Sequence, residues 1–153
     1  MGYHITILRT EQGKNIPIRI DEIKKLKDSF PGADIEPPSL KGGQLDLVIS
    51  RDSSHSYRFI LQHGRLWTKN PEDDEIEIML EIAKQLNARV LGDELETFRT
   101  VTDTYLHPDD IEEFNRHQAE SRHSIRHTRN VRWAIKFIAL LFLVIGLLIS
   151  CFR

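Results

Sequence analysis

Residues 45–69 read Leu-Asp-Leu-Val-Ile-Ser-Arg-Asp-Ser-Ser-His-Ser-Tyr-Arg-Phe-Ile-Leu-Gln-His-Gly-Arg-Leu-Trp-Thr-Lys. Apolar residues alternate with polar ones in three short runs: Leu45 to Ile49, Tyr57 to Leu61 (through Phe59), and Leu66-Trp67-Thr68. Period-two alternation puts one apolar set on one face of a pleated strand. Between the runs stand Asp52-Ser53-Ser54-His55-Ser56 and His63-Gly64, both turn chemistry. Three strands joined by two turns make an antiparallel meander.

Upstream, Tyr3, Ile5 and Ile7 alternate with His4, Thr6 and Arg9, which predicts a first strand, and Glu11-Gln12-Gly13-Lys14-Asn15 is a turn. Ile20, Ile23, Leu26 and Phe30 fall on one helical stripe with Lys24, Lys25 and Lys27 outside it, and Pro31-Gly32 ends that helix. Pro37-Pro38 and Gly42-Gly43 bracket a loop. Downstream, Asn70 is the expected N-cap and Pro71 the first residue of a second helix. Glu72, Asp73, Asp74 and Glu75 crowd its first turn, where the helix dipole favours anions. Ile76, Met79, Leu80, Ala83 and Leu86 form its core stripe, with Lys84 and Arg89 toward its end. Val90 to Arg99 reads as a last strand interrupted by a bulge at Gly92-Asp93-Glu94. The expected fold class is α+β: a mostly antiparallel sheet in the order β-α-β-β-β-α-β with two packed helices.

Beyond it, Pro108-Asp109-Asp110 opens a polar helix to about Asn130, capped by Asp109 or Asp110, with few apolar residues (Ile111, Phe114, Ala119, Ile125). Then Phe137 to Phe152 carries no charge. Sixteen residues span only ~24 Å, short of the ~30 Å hydrocarbon core. Adding Val131 to Lys136 gives 22 residues and ~33 Å, with Lys136 snorkelling and Trp133 at the interface. The expected organisation is an α+β domain over residues 1–100, a linker with a polar basic juxtamembrane helix over 101–130, and one transmembrane helix over 131–152. Arg122, Arg126, Arg129, Arg132 and Lys136 precede the span and only Arg153 follows it. Lys and Arg mark the cytoplasmic side, so the N-terminal domain is expected in the cytosol, tail-anchored, with these five cations on lipid headgroups.

Residues 1–115 hold 14 Lys and Arg against 22 Asp and Glu, a net −8, and residues 116–153 hold seven against one, a net +6. The acidic part lacks the basic footprint that nucleic acid requires. It suits a basic protein partner, through Glu72, Asp73, Asp74, Glu75, Asp93 and Glu94. One cysteine, Cys151, excludes an intramolecular disulfide. The N-terminus has no signal peptide, though Gly2 to Thr6 fits the loose myristoylation pattern. No Gly-rich phosphate loop, CxxC pair or GxSxG occurs. Asp52 to His55 are too close in sequence for triad geometry, and His123 and His127 share a helix face without a third ligand. Paired carboxylates Asp93 and Glu94 suit acid–base work on a lipid or peptide, but no nucleophile is tied to them. The expectation is a non-enzyme with no cofactor and no metal.

The runs Gly64-Arg65-Leu66-Trp67-Thr68-Lys69-Asn70-Pro71 and Met79-Leu80-Glu81-Ile82-Ala83-Lys84-Gln85-Leu86-Asn87-Ala88-Arg89-Val90-Leu91-Gly92-Asp93-Glu94 resemble a family of small bacterial proteins, as do Tyr3 to Ile7 and Ile18 to Ile23. The resemblance covers about residues 1–98. Some members look like immunity proteins of polymorphic or contact-dependent toxin systems. The resemblance, with the acidic domain and the expected span, points to a binding module at the bacterial inner membrane that neutralises a toxin, and it supplies no catalytic residue. The competing expectation is a structural or regulatory subunit of a membrane complex, assembling through the polar helix and the span.

Overall fold

The computed structural model describes residues 2–51 and 55–119. The expected transmembrane helix over residues 131–152, the five cations expected on lipid headgroups, the His123/His127 pair and the turn residues Asp52 to Ser54 lie outside the described residues. Among the described residues, no helix is long and apolar enough to cross a membrane.

The fold is α+β, and every strand pairing is antiparallel. In chain order the elements are β1 (His4–Glu11), β2 (Lys14–Ile16), α1 (Ile20–Ser29), β3 (Ala33–Glu36), β4 (Leu45–Ser50), β5 (Ser56–Gln62), β6 (Arg65–Lys69), α2 (Asp73–Gln85), β7 (Arg89–Gly92), β8 (Glu96–Phe98) and β9 (Thr104–Leu106). The sheet runs β3-β4-β5-β6-β1-β7-β8-β9, and β2 pairs with the far end of β1. The expected meander is β4-β5-β6. Four short strands add to it: β2, β3, β8 and β9.

The helices cover one face, α1 over β3 and β4, α2 over β1 and β7. Beneath them Ile5, Ile7, Leu47, Phe59, Leu61, Leu66 and Val90 pack against Ile23, Leu26, Ile76, Met79, Ile82 and Ala83. Burying each of these side chains other than Ala83 contributes roughly 1.5–3 kcal/mol. The α1 stripe holds for Ile23, Leu26 and Phe30, but Ile20 is exposed. On α2 the stripe is centred on Ile82, fully buried, rather than on Leu80, which is half-buried.

Among the described residues, α1 and α2 leave the other face of the sheet uncovered. Across it, register aligns one row through all eight strands: Glu36, Asp46, Ile60, Trp67, Thr6, Leu91, Thr97 and Tyr105. Asp46 is fully buried there, taking the Arg58 guanidinium at 2.8 Å and the Ser39 N–H at 3.1 Å.

Three local expectations change. Asn70 is not the N-cap. Its φ of 50° closes the end of β6, its Oδ1 accepts the Tyr3 N–H at 2.8 Å, and α2 starts at Asp73 with Glu72 at the cap position. Gly92-Asp93-Glu94 is not a bulge in one strand. The chain turns there, Leu95 (φ 67°) donating its N–H to the Gly92 carbonyl, and β7 and β8 form a hairpin. Asp109 and Asp110 lie within a 3-10 turn, Pro108–Asp110, which His107 caps, its Nδ1 accepting the Asp109 N–H at 3.2 Å.

The first compact unit runs from Met1 to Ile111 and so extends past residue 100. Its last stretch is fastened, not a linker. β9 pairs with β8, Thr10 donates to Asp109 at 2.6 Å, and Arg89 binds Asp110. In the second unit, residues 112–119 are helical and exposed apart from Phe114.

Candidate functional site

β1 enters the sheet where β6 leaves it, so the start of β1 brings two distant acidic stretches to one end of the sheet. His4 is in register with Lys69, and Asn70 donates its N–H to the Tyr3 carbonyl at 2.7 Å. Three residues on, α2 begins. On the other flank, Ile5 is in register with Gly92, and the Asp93 carboxylate accepts the His4 N–H at 2.8 Å. Glu72, Asp73, Asp74, Glu75, Asp93 and Glu94 therefore gather at this end, joined by Glu96.

These carboxylates are not equivalent. Asp74 pairs with Arg51 at 3.0 Å, both exposed. Such a pair contributes little to stability. Glu75 accepts the Thr68 hydroxyl at 2.8 Å, and burial, first among the causes, pushes its carboxyl above the usual range. Glu72, Asp73 and Glu94 are exposed at the rim. Behind them, Tyr3 donates its hydroxyl to Glu96. Partial burial and then that carboxylate push the Tyr3 hydroxyl well above the ordinary phenol range. A Cβ at Gly92 would meet the Glu96 carboxylate and the Tyr3 hydroxyl, so a side chain there would push that pair aside.

The acid face continues along α2. Asp73, Glu77 and Glu81 follow one another at four-residue spacing on its exposed side. Glu77 and Glu81 border a groove of about 480 Å³ whose floor is Phe30, Ile49 and Ile78 and whose far rim is Arg51. Among the described residues neither Glu77 nor Glu81 has an ion-pair partner. An apolar floor beside two free carboxylates matches a Lys or Arg side chain, whose stem is apolar and whose head is cationic.

Reading the sequence alone finds the acidic residues of the first turn but misses Glu77, Glu81, Glu96 and His4. The four-residue spacing of Asp73, Glu77 and Glu81 was a legible signal for the first two. His4 is tied to Asp93, with Nδ1 3.3 Å from Oδ2, and its ring meets Trp67 edge-on at 5.6 Å. A partner 89 residues away leaves no local sequence signature. No group of three or more His, Cys, Asp or Glu suited to a metal ion occurs among the described residues.

The chain matches no protein-family model, no curated protein and no solved structure.

Proposed function

We propose that this protein is a membrane-anchored binding module that docks a basic protein through the acidic face of α2, and that its specific role is neutralisation of a toxin at the bacterial inner membrane. The observation that carries the reading is the row Asp73, Glu77 and Glu81 beside the groove floored by Phe30, Ile49 and Ile78. Like charges at four-residue spacing destabilise a helix by a few tenths of a kcal/mol per pair. The helix dipole favours carboxylates only in the first turn, so Glu77 and Glu81 gain nothing from it. A cationic partner turns that cost into affinity and speeds encounter. The net −8 of residues 1–115 and the resemblance to immunity proteins support the same reading. The anchor over residues 131–152 rests on its hydropathy and would hold the module where a membrane-crossing or membrane-acting toxin is met.

The test co-expresses the full-length chain with each candidate toxin encoded beside its gene and compares it with Glu77→Lys/Glu81→Lys. Both side chains are exposed, so the double variant is expected to fold. The expected result is protection against one toxin, weakened at least tenfold in the variant. Protection against none of them would sink the toxin reading, and protection unaffected by the charge reversal would move the interface elsewhere.

A further inference from the structure

The geometry points to a second, separate site on the open face of the sheet, one that takes a small phosphate ester carrying a planar ring, of the nucleoside monophosphate class. A cavity of about 540 Å³ opens there, walled by His4 of β1, Asn15 of β2, Gln62 and His63 of the β5–β6 turn, and Arg65 and Trp67 of β6. Thr6 completes the lining. These side chains supply a guanidinium, two imidazoles, two amides and an indole, and no carboxylate. That composition stands out in a domain where acids outnumber Lys and Arg by 22 to 14 over residues 1–115.

The groups are also uncommitted. Among the described residues Arg65, His63, Asn15 and Gln62 form no side-chain hydrogen bond or ion pair, whereas Arg9, Arg51, Arg58, Arg89 and Arg99 all hold carboxylates. The walls are held in place. His63 stands at φ 50° in a turn whose Gly64 carbonyl accepts the Ile18 N–H at 2.9 Å. Asp93 faces His4 Nδ1 at 3.3 Å, which leaves Nε2 as the ring nitrogen available to a ligand. His4 in turn braces Trp67 edge-on.

Each group then has a use. The Arg65 fork suits phosphate oxygens, with His63 beside it. Trp67 offers an aromatic surface to a base. Asn15 and Gln62 each carry both a donor and an acceptor for base edges or ribose hydroxyls. The net negative charge of residues 1–115 repels a long phosphate backbone, whereas one phosphate is a local contact.

The test uses the full-length chain in detergent, with Trp133→Phe so that Trp67 is the sole indole of the chain's two. Indole emission and calorimetry follow titration with AMP, CMP, GMP and UMP, then with the matching nucleosides and with inorganic phosphate. Saturable binding of at least one mononucleotide is expected, weakened at least tenfold by Arg65→Gln and unchanged by Arg99→Gln. No saturable binding of any of them up to millimolar concentration, or equal binding by Arg65→Gln, overturns the proposal. A nucleoside binding as tightly as its monophosphate overturns the anion half, and inorganic phosphate binding as tightly overturns the ring half. Because none of the groove residues on α2 lines this cavity, failure here leaves the protein-docking reading intact.

Discussion

Arg89 holds Asp110 with both ends of its guanidinium, Nη1 donating to Oδ2 at 2.5 Å and Nη2 to Oδ1 at 2.7 Å. The two side chains are only 11% and 9% exposed. This pair clasps the stretch after β9 onto β7. Removing one partner from a buried pair leaves an uncompensated charge and costs about 3–5 kcal/mol. Asp110→Asn is expected to lower the unfolding free energy read from a urea titration by that amount. Arg89→Met combined with Asp110→Leu removes both charges and is expected to cost less than Asp110→Asn alone. A double variant that loses more than the single one would show that the pair is net stabilising.

Acid should loosen α1. Glu22 takes three hydrogen bonds from the Arg9 guanidinium and one from the Arg19 N–H at 2.9 Å. The Arg9 hydrogen bonds, first among the causes, hold its carboxyl below its usual 4.5. The unfolded chain therefore takes up a proton before the folded one does. Stability that is fully present above pH 4.5 is lost as pH falls through the depressed value. Urea midpoints at pH 7 and at pH 3 should differ by more in the native chain than in Glu22→Gln. At pH 7 that variant should itself lose about 1.5–3 kcal/mol, the usual worth of hydrogen bonds to a charged group.

Two glycines at left-handed φ separate strain from collision. Gly13 stands at φ 75° with open space where a Cβ would go, and Gly64 at φ 71° with Pro17 against it. Gly13→Ala should cost only the left-handed penalty, about 1–2 kcal/mol. Gly64→Ala should cost that and a further overpacking term of about 1–3 kcal/mol. Thermal melts of the two side by side read the difference. Equal losses would mean that the β5–β6 turn can move away from Pro17.

Phe59 is fully buried while Ile20 is 39% exposed. Phe59→Ala is expected to lose about 3–5 kcal/mol. Ile20→Ala should stay within about 0.5 kcal/mol, although both residues look like core in an apolar pattern. Denaturant titration of both variants, with Phe59→Leu as a milder companion, checks this.

The long, regular patterns were the legible ones. β4, β5 and β6 carry enough alternating residues to declare themselves, and α1 and α2 have a clear apolar stripe and clear stops. β2, β8 and β9 have three residues each, too few for a period of two to register. β3 has four and lies at the sheet edge, where only one flank needs apolar cover. Asn70-Pro71 carries a strong capping signal, but the Asn70 amide is occupied by Tyr3, a contact 67 residues away. The candidate site divides in the same way. The acidic first turn of α2 is local and legible. The union of residues 72–75 with 93–96, and of His4 with Trp67 and Asp93, is a product of strand order.

That order also governs how fast the sheet can form. β1 opens the chain yet stands between β6 and β7, so Ile7 waits for Leu66 on one side and Val90 on the other. Each closure spans a long loop whose entropy must be lost before any ladder hydrogen bond is gained. The β3-β4-β5-β6 meander and the β7-β8-β9 ribbon are each local enough to form early. This topology is expected to slow folding relative to a sheet of local pairings. Even once β6 has paired, the β7-facing edge of the strand that carries Ile5 and Ile7 stays open until the chain through Gly92 is in place, and during that interval it can pair with the wrong chain.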